Sequence, residues 1–551
     1  MTTRHAALVL LLCSGLALFV TGLYGIASPF VAGHYGYHGG EYSTRARNTI
    51  RHGSILPVNE ITFSDPKPES LYLHHPVLTH HLVTLTMTLL GDHEYSVRAA
   101  GLLGCFACCL LLARVMWVHW GPLQAALAAA TFVIVPINVW FANHIDPGYP
   151  SIAALLAFFL FYLRWLKTAR WRDAAGALFF AALAGGFEWS PYLAAVPIFL
   201  HAFWTGIERR GRFPAFVPLY CVAVVLPLAA HVLIVWRTGH IPEMLESYGV
   251  RTTGGLSRSF YQLSYEHGVA MFGQPLLFAG GLWLLLVIGR LVSKRAHARD
   301  LVGVSFAFAL LVYIHVFRQG ALIHAYRYLY GGIVCAIAVC DLTETLSSVV
   351  AARVRARAVV VRAVVAAAVV VAILGATLPP AYSAWLESRM KNGSPFLEPY
   401  NPETEKVPFA QLAHDQSRPG DVLYLHSSFP YWMETAYYFD RDTQSASLPA
   451  VVALPPEKRI RALLICVPAA LSQEDRRLLA GLAQIHPVRL VSGYLLLDLR
   501  RAGGEVHAEV AVAPEHRTMM TRYFEGPYPH MLRAPDPMAE KRYAEEFGDQ
   551  R

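Results

Sequence analysis

Residues 34–47 read HYGYHGGEYSTRAR. One carboxylate, Glu41, stands there among glycines, aromatics and the histidines His34 and His38, directly after the first apolar segment. A chain that only threads a bilayer would turn back at this point. Which side of the membrane Glu41 faces, and what else reaches that side, decides what the surrounding fold is for.

Composition sets the frame. Of 551 residues, 55% are hydrophobic and 15% charged, and the mean hydropathy is +0.38. These values are far from a soluble average and indicate a polytopic membrane protein. The formal charge of +8 does not point to nucleic acid, because Arg and Lys fall in short runs between apolar segments, where topology signals lie. Seven of the eight cysteines lie in apolar stretches and only Cys466 lies in the polar tail, so no disulfide framework is expected; Cys105 and Cys108 read as helix filling.

The parity of the spans places Glu41. The first apolar run, about residues 6–27, reads as a signal anchor with a cytoplasmic N-terminus. Val77 to Leu90 is too short to cross and reads as interfacial or re-entrant. Further spans are expected at about 95–117, 122–142, 150–166, 173–187, 190–205, 214–236, 275–292, 301–318, 321–342 and 359–379. That arrangement puts the basic clusters Arg164/Lys167/Arg170/Arg172, Arg209/Arg210/Arg212, Lys294/Arg295/Arg299 and Arg353/Arg355/Arg357/Arg362 all inside. Counting Val77–Leu90 as a crossing would reverse every later cluster. The expectation is therefore a polytopic α-helical membrane protein with about eleven transmembrane helices, N-terminus in and C-terminus out, in a plasma or cell inner membrane. Residues 1–380 form the transmembrane domain, with 28–94 as its first external loop, and residues 381–551 a soluble extracytoplasmic domain.

The tail reads as a small α/β unit. DVLYLH (421–426), RALLICVP (461–468) and RLVSGYLLLDLR (489–500) have strand character, and SQEDRRLLAGLAQ (472–484) reads as a capped amphipathic helix. Beyond residue 502 no period is evident and an extended end is expected. No internal repeat of the inverted-transporter kind is present.

Three external patches carry ionisable groups at helix ends: Glu41 with His34 and His38; His74 and His75 in LYLHHP; His144 and Asp146 in FANHIDPGYP. A carboxylate at the membrane edge of a cavity is partly desolvated, which raises its basicity and suits it to deprotonate an alcohol or amine. Solvated loop acids are the plain alternative, less so for Asp146, which is pinned between two spans by Pro147 and Gly148. No cofactor is certain. A divalent metal is one reading of His38, Glu41, His74 and His144, although none of these histidines pair with one another at HxxxH or HxH spacing.

The order of these features resembles the GT-C superfamily of integral membrane glycosyltransferases, in the branch of the protein O-mannosyltransferases and the lipid A aminoarabinose transferases. GEYSTRARNTIRHG keeps Glu41, Ala46, Arg47 and Gly53 of the family's first-loop motif; LHHPVLTHHLVTLTMTLLGDHEYSVR supplies Pro76, Gly91 and Arg98 of the next; Asp146 matches the acid at the outer end of the third span; and Arg327 with Tyr328 in IHAYRYLYGG matches the late basic-aromatic element. Each motif is loose, and order and spacing carry the likeness. Two departures stand out. The Asp of the family's Asp-Glu pair is Gly40 here, and a Lys element after the fifth span is replaced by GGFEWSPYL, with Glu188 and Trp189.

The resemblance implies a GT-C-like fold and transfer of a sugar from a polyprenyl-phosphate donor to a lipid, polysaccharide or protein acceptor on the outer face, among membrane lipids and without nucleic acid. Nucleotide sugars are cytoplasmic, so an outer site needs a lipid-linked donor. Arg251, Arg258 and Arg327 are candidate phosphate contacts, since Arg offers bidentate donors to phosphate oxygens; lipid headgroup contact is the plain alternative for Arg251 and Arg258. Glu41 or Asp146 would act as base for an inverting displacement, with His38, His74, His75, His144 and Tyr328 lining the site. A lipid or glycolipid transporter, or a catalytically altered relative because of Gly40, is the alternative. Span centres nearly free of charge disfavour translocation.

Overall fold

The computed structural model describes residues 3–354 and 406–509, apart from 24–25, 28, 31–33, 60–70, 210, 253–255, 324, 430–432, 492 and 504–505, together with scattered residues between 360 and 376. The expected span at 359–379 and the end beyond 509 therefore fall largely outside the described residues.

Sixteen helices precede residue 355 among the described residues: α1 (Thr3–Leu23), α2 (His34–His52), α3 (Leu78–Leu90), α4 (Glu94–His119), α5 (Pro122–Ile134), α6 (Pro136–Phe141), α7 (Gly148–Thr168), α8 (Trp171–Phe187), α9 (Ser190–Glu208), α10 (Phe213–Arg237), α11 (Ile241–Thr252), α12 (Arg258–Phe272), α13 (Gln274–Val292), α14 (Asp300–Val316), α15 (Arg318–Ile323) and α16 (Leu329–Val354). Among the described residues, six stretches are long and apolar enough to cross a membrane: Arg4–Leu23, Glu94–His119, Gly148–Thr168, Phe213–Arg237, Gln274–Val292 and Tyr326–Arg353. Leu78–Leu90, Pro122–Ile134 and Asp300–Val316 are apolar but shorter. The molecule is thus a polytopic α-helical membrane protein. Within it α7 is the central helix, its apolar window 83% buried against 17% for α10 and α13, whose outward residues are free to meet lipid.

Two of the expected spans are not continuous helices. The one at 122–142 divides into α5 and α6 at Pro136, which has no N–H to continue the ladder. The one at 321–342 begins instead with α15, a 3₁₀ turn at Ala325–Tyr328, and then α16. Both breaks lie beside the candidate site. The segment at 34–47, read as a loop, is the helix α2. Its three glycines argue against a helix in isolation, but packing decides otherwise: Tyr42, Ala46, Ser43 and Thr44 are buried, and a Cβ on Gly39 would stand 2.4 Å from the Phe30 ring.

Among the described residues the C-terminal sheet has six strands, β1 (Val422–Leu425), β2 (Asp442–Ser445), β3 (Ala462–Cys466), β4 (Val488–Val491), β5 (Tyr494–Asp498) and β6 (Val506–Glu509), in the order β2-β1-β3-β5-β4-β6. β1 runs parallel to β2 and β3, and β5 is antiparallel to both of its neighbours. The single strand expected at 489–500 is the pair β4 and β5, turning at Gly493, whose φ of 85° lies in the left-handed region. Part of the end expected to be structureless is β6, parallel to β4. The amphipathic helix is present as Gln473–Ala483, with the Ser472 side chain accepting from Asp475 N.

This sheet shares a core with the first-loop helices. Tyr42 and Ala46 of α2, Val83 and Met87 of α3, and Phe30 belong to one buried cluster with Phe409, Tyr437, Tyr438, Leu463 and Leu496. Polar contacts reinforce the seam. Arg47 bonds Asp92 (2.6 Å), Asp440 (3.0 Å) and the Tyr437 carbonyl (2.8 Å), and Arg51 bonds Asp440 (2.6 Å).

Candidate active site

Two carboxylates stand in different settings where α2, the loop between α6 and α7, and the turn before α16 meet. The first, Glu41, projects from α2 and is buried, paired with Arg45 one helical turn later. Arg45 is itself fixed: its Nε donates to Asn59 at 2.6 Å and its guanidinium lies 3.7 Å from the Tyr72 ring centre. Burial pushes the Glu41 carboxyl up, and the Arg45 and Arg251 charges oppose it.

The second, Asp146, is held by its loop. Asn143 Nδ2 donates to the Gly22 carbonyl at 2.7 Å, and α4 approaches so closely that a Cβ on Gly101 would stand 2.3 Å from the His144 carbonyl oxygen. Asp146 Oδ1 accepts the Gly148 N–H at 2.8 Å, at the start of α7, where the helix dipole favours an anion. Its Oδ2 is buried and has no hydrogen-bond partner among the described residues. Burial pushes this carboxyl up to about 7; Arg327 pulls against that and Glu188 adds to it.

His38, three residues before Glu41 and so on the same face of α2, meets His144: the ring centres are 5.3 Å apart, and both rings pack on Tyr326 at 5.2 and 5.6 Å. One ligand atom each from His38, His144 and Asp146 lie within 4.8 Å of one another. Two imidazoles and a carboxylate at that spacing are a donor set that fits a divalent cation with an open position. The HxD pair at 144 and 146 supplies two of the three ligands, a spacing that a search for HxH or HxxxH passes over.

Arg327, from the 3₁₀ turn, is buried. One Nη bonds Glu188, the other lies 3.3 Å from His75 Nε2, and the guanidinium sits 5.0 Å from the Tyr326 ring centre and 5.6 Å from that of Tyr313. His75 is held neutral by burial and by the neighbouring Arg327 and Arg251 charges, so Nε2 can accept from Arg327. His74 points elsewhere: Nε2 bonds Glu243 of α11 at 2.9 Å, and its carbonyl accepts from Trp189 Nε1 at 2.8 Å. Arg251 makes itself felt electrostatically at Glu41, Tyr72 and His75. Arg258 is exposed, and no contact among the described residues ties it to this cluster. Tyr328 faces α12, its ring 6.0 Å from His267 and 6.2 Å from Phe272, while Tyr326 occupies the place expected of it.

Residues 74–236 match a family model described as dolichyl-phosphate-mannose-protein mannosyltransferase. A search of curated protein sequences returned no match. Among solved structures, ArnT from Cupriavidus metallidurans bound to undecaprenyl phosphate aligns with a TM-score of 0.59 at 14% identity, over 90% of this chain and 98% of that one. The Archaeoglobus fulgidus oligosaccharyltransferase tethered to an acceptor peptide aligns with a TM-score of 0.53 at 14% identity, over 88% of this chain and 73% of that one. Its complex with Zn and sulfate aligns at 0.50 and 13% identity, over 87% and 71%. With the motif order of the first loop, the Asp146 loop and the Arg327 turn, these likenesses bear out the resemblance read from sequence: the chain has the fold of the GT-C membrane glycosyltransferases, and its residues 74–236 match the mannosyltransferase family model.

Proposed function

We propose that this protein transfers a sugar from a polyprenyl-phosphate donor to an acceptor hydroxyl or amine on the extracytoplasmic face, with inversion, and that Asp146 is the base. The observation that carries the assignment is the buried Asp146 Oδ2, partnerless among the described residues, in a site that also holds the Arg327 guanidinium. Glu41 has the weaker claim, because Arg45 already occupies it. With Gly40 where the family carries its Asp, the base comes from the third-span loop instead of from α2.

In one displacement Asp146 takes the acceptor proton, the acceptor attacks the anomeric carbon, and the glycosyl C–O bond to phosphate breaks. Arg327 and Arg251 stabilise the charge that grows on the leaving phosphate, so no acid is needed at that oxygen. The donor sugar and lipid are fixed by other parts of the cavity. The neighbour solved with undecaprenyl phosphate supports a lipid-phosphate donor. The test is transfer by purified protein from polyprenyl-phosphate hexoses and aminopentoses, read by mass spectrometry of envelope acceptors. No added glycosyl mass with any donor would sink the reading.

A second reading of the same residues rests on the convergence of His38, His144 and Asp146 and on the neighbour solved with Zn and sulfate. A bound divalent cation would add charge against the donor phosphate, with these three residues holding it. Metal analysis of the purified protein separates the two: stoichiometric metal lost in His144→Ala supports the cation, and metal-free protein that transfers at full rate excludes it.

A further inference from the structure

Glu188 was singled out in the sequence only as a residue standing where relatives carry Lys, and the proposed displacement makes no direct use of it. It lies at the break between α8 and α9, in extended backbone with φ −159°, and is 1% exposed. A carboxylate so buried needs compensation, and its partners are specific. Oε1 accepts from Arg327 Nη1 and from Ser190 Oγ at 3.0 Å, and Oε2 accepts from Ser151 Oγ at 3.4 Å. Ser151 stands five residues after Asp146 in the first turn of α7, and its hydroxyl also meets Tyr330 OH at 2.9 Å.

Glu188 therefore ties together the helix that follows the base loop, the start of α9 and the turn that carries Arg327. On the other side of the guanidinium, neutral His75 takes Nη2, and the Tyr313 and Tyr326 rings flank it. Four constraints fix its plane, and the Nε of Arg327 is buried without a hydrogen-bond partner among the described residues. A guanidinium anchored through both terminal nitrogens with Nε in reserve is poised to give that N–H to an incoming phosphate oxygen.

We infer that Glu188 is a positioning residue: it holds Arg327 so that its Nε edge meets the phosphate of the lipid-linked donor as charge develops there. This rests on the glycosyltransferase reading. Without the carboxylate the guanidinium can rotate about its side chain, and loss of alignment in such a clamp costs on the order of 10²-fold in rate. A residue that merely supported the fold would lower the yield of folded protein and leave the kinetics of the folded fraction unchanged.

The test uses the full-length protein in detergent or nanodiscs, as wild type, Glu188→Ala, Glu188→Gln and Glu188→Asp. Folded fraction is read by thermal unfolding, polyprenyl phosphate binding by quenching of tryptophan fluorescence, and transfer by mass spectrometry. Per folded molecule, Glu188→Ala is expected to lose about 10²-fold in kcat, with a smaller rise in donor KM, and Glu188→Asp to recover most of the loss. Glu188→Gln, which keeps the acceptor oxygen, is expected to fall between them and serves if the Ala variant does not fold. If wild type neither binds polyprenyl phosphate nor transfers, the glycosyltransferase reading fails and takes this proposal with it. If wild type does both and the folded Ala or Gln variant matches it in kcat, the positioning role alone is overturned.

Discussion

At the scale of single residues, the two carboxylates that the sequence offered as alternative bases separate by their partners. Glu41 is half of a buried ion pair with side chains 5% and 2% exposed. Glu41→Gln leaves Arg45 buried without its countercharge, which costs about 3 kcal/mol, so its main effect is expected in thermal unfolding, with folded molecules still active. Asp146→Asn removes no ion pair, since Oδ1 is bonded to a backbone N–H and Oδ2 is partnerless among the described residues. That variant is expected to unfold near the wild-type temperature and to lose about 10²- to 10⁴-fold in transfer. The reverse pattern, a stable and active Asp146→Asn beside an inactive but stable Glu41→Gln, would move the base to α2. The signal for Asp146 was readable in the sequence, because Pro147 and Gly148 pin it between two apolar runs. Glu188 was not, since nothing local to GGFEWSPYL announces that Arg327, 139 residues away, is its partner.

At the scale of elements, hydropathy and charge runs located the long helices, because an apolar run of spanning length is its own evidence. They could not find α2, whose polar, glycine-containing sequence becomes helical only because α3 and the C-terminal sheet cover it. Nor could they foresee that the span leading to Asp146 and the one carrying Arg327 break near the ends that face the candidate site. The seam over α2 makes a prediction of its own. Burial pushes the Asp440 carboxyl up, but the hydrogen bond from Arg51 and the charges of Arg47 and Arg51 outweigh it and hold the group below its usual 3.8. A depressed carboxyl contributes stability above its unfolded value and loses it as pH falls through the folded one. Docking of the helix Met433–Phe439 on α2 is thus expected to hold at pH 5 and to loosen below about pH 4. Hydrogen exchange of that helix would report the change, and Asp440→Asn should be loose already at pH 5. Protection equal in both proteins at both pH values would show that the apolar contacts alone hold the seam.

At the scale of the whole molecule, orientation is the property on which the chemistry depends, since a site on the outer face cannot draw on cytoplasmic nucleotide sugars. By the parity of the basic clusters α2 is expected outside, and the shared core of α2 with the C-terminal sheet requires both to lie on one side, whichever side that is. Two exposed positions test both statements together: Ile55, just after α2, is 73% exposed, and Ile460, between β2 and β3, is 65% exposed. On intact cells, a membrane-impermeant maleimide is expected to label Ile55→Cys and Ile460→Cys above the background of the native cysteines. It should label Gly211→Cys, in the basic turn between α9 and α10, only after the membrane is opened. Labels that disagree between Ile55 and Ile460 would contradict the common core. Labels that agree but reverse would turn the site to the cytoplasm, and the argument for a lipid-linked donor from topology would fall while the geometry of Asp146, Arg327 and Glu188 stood unchanged.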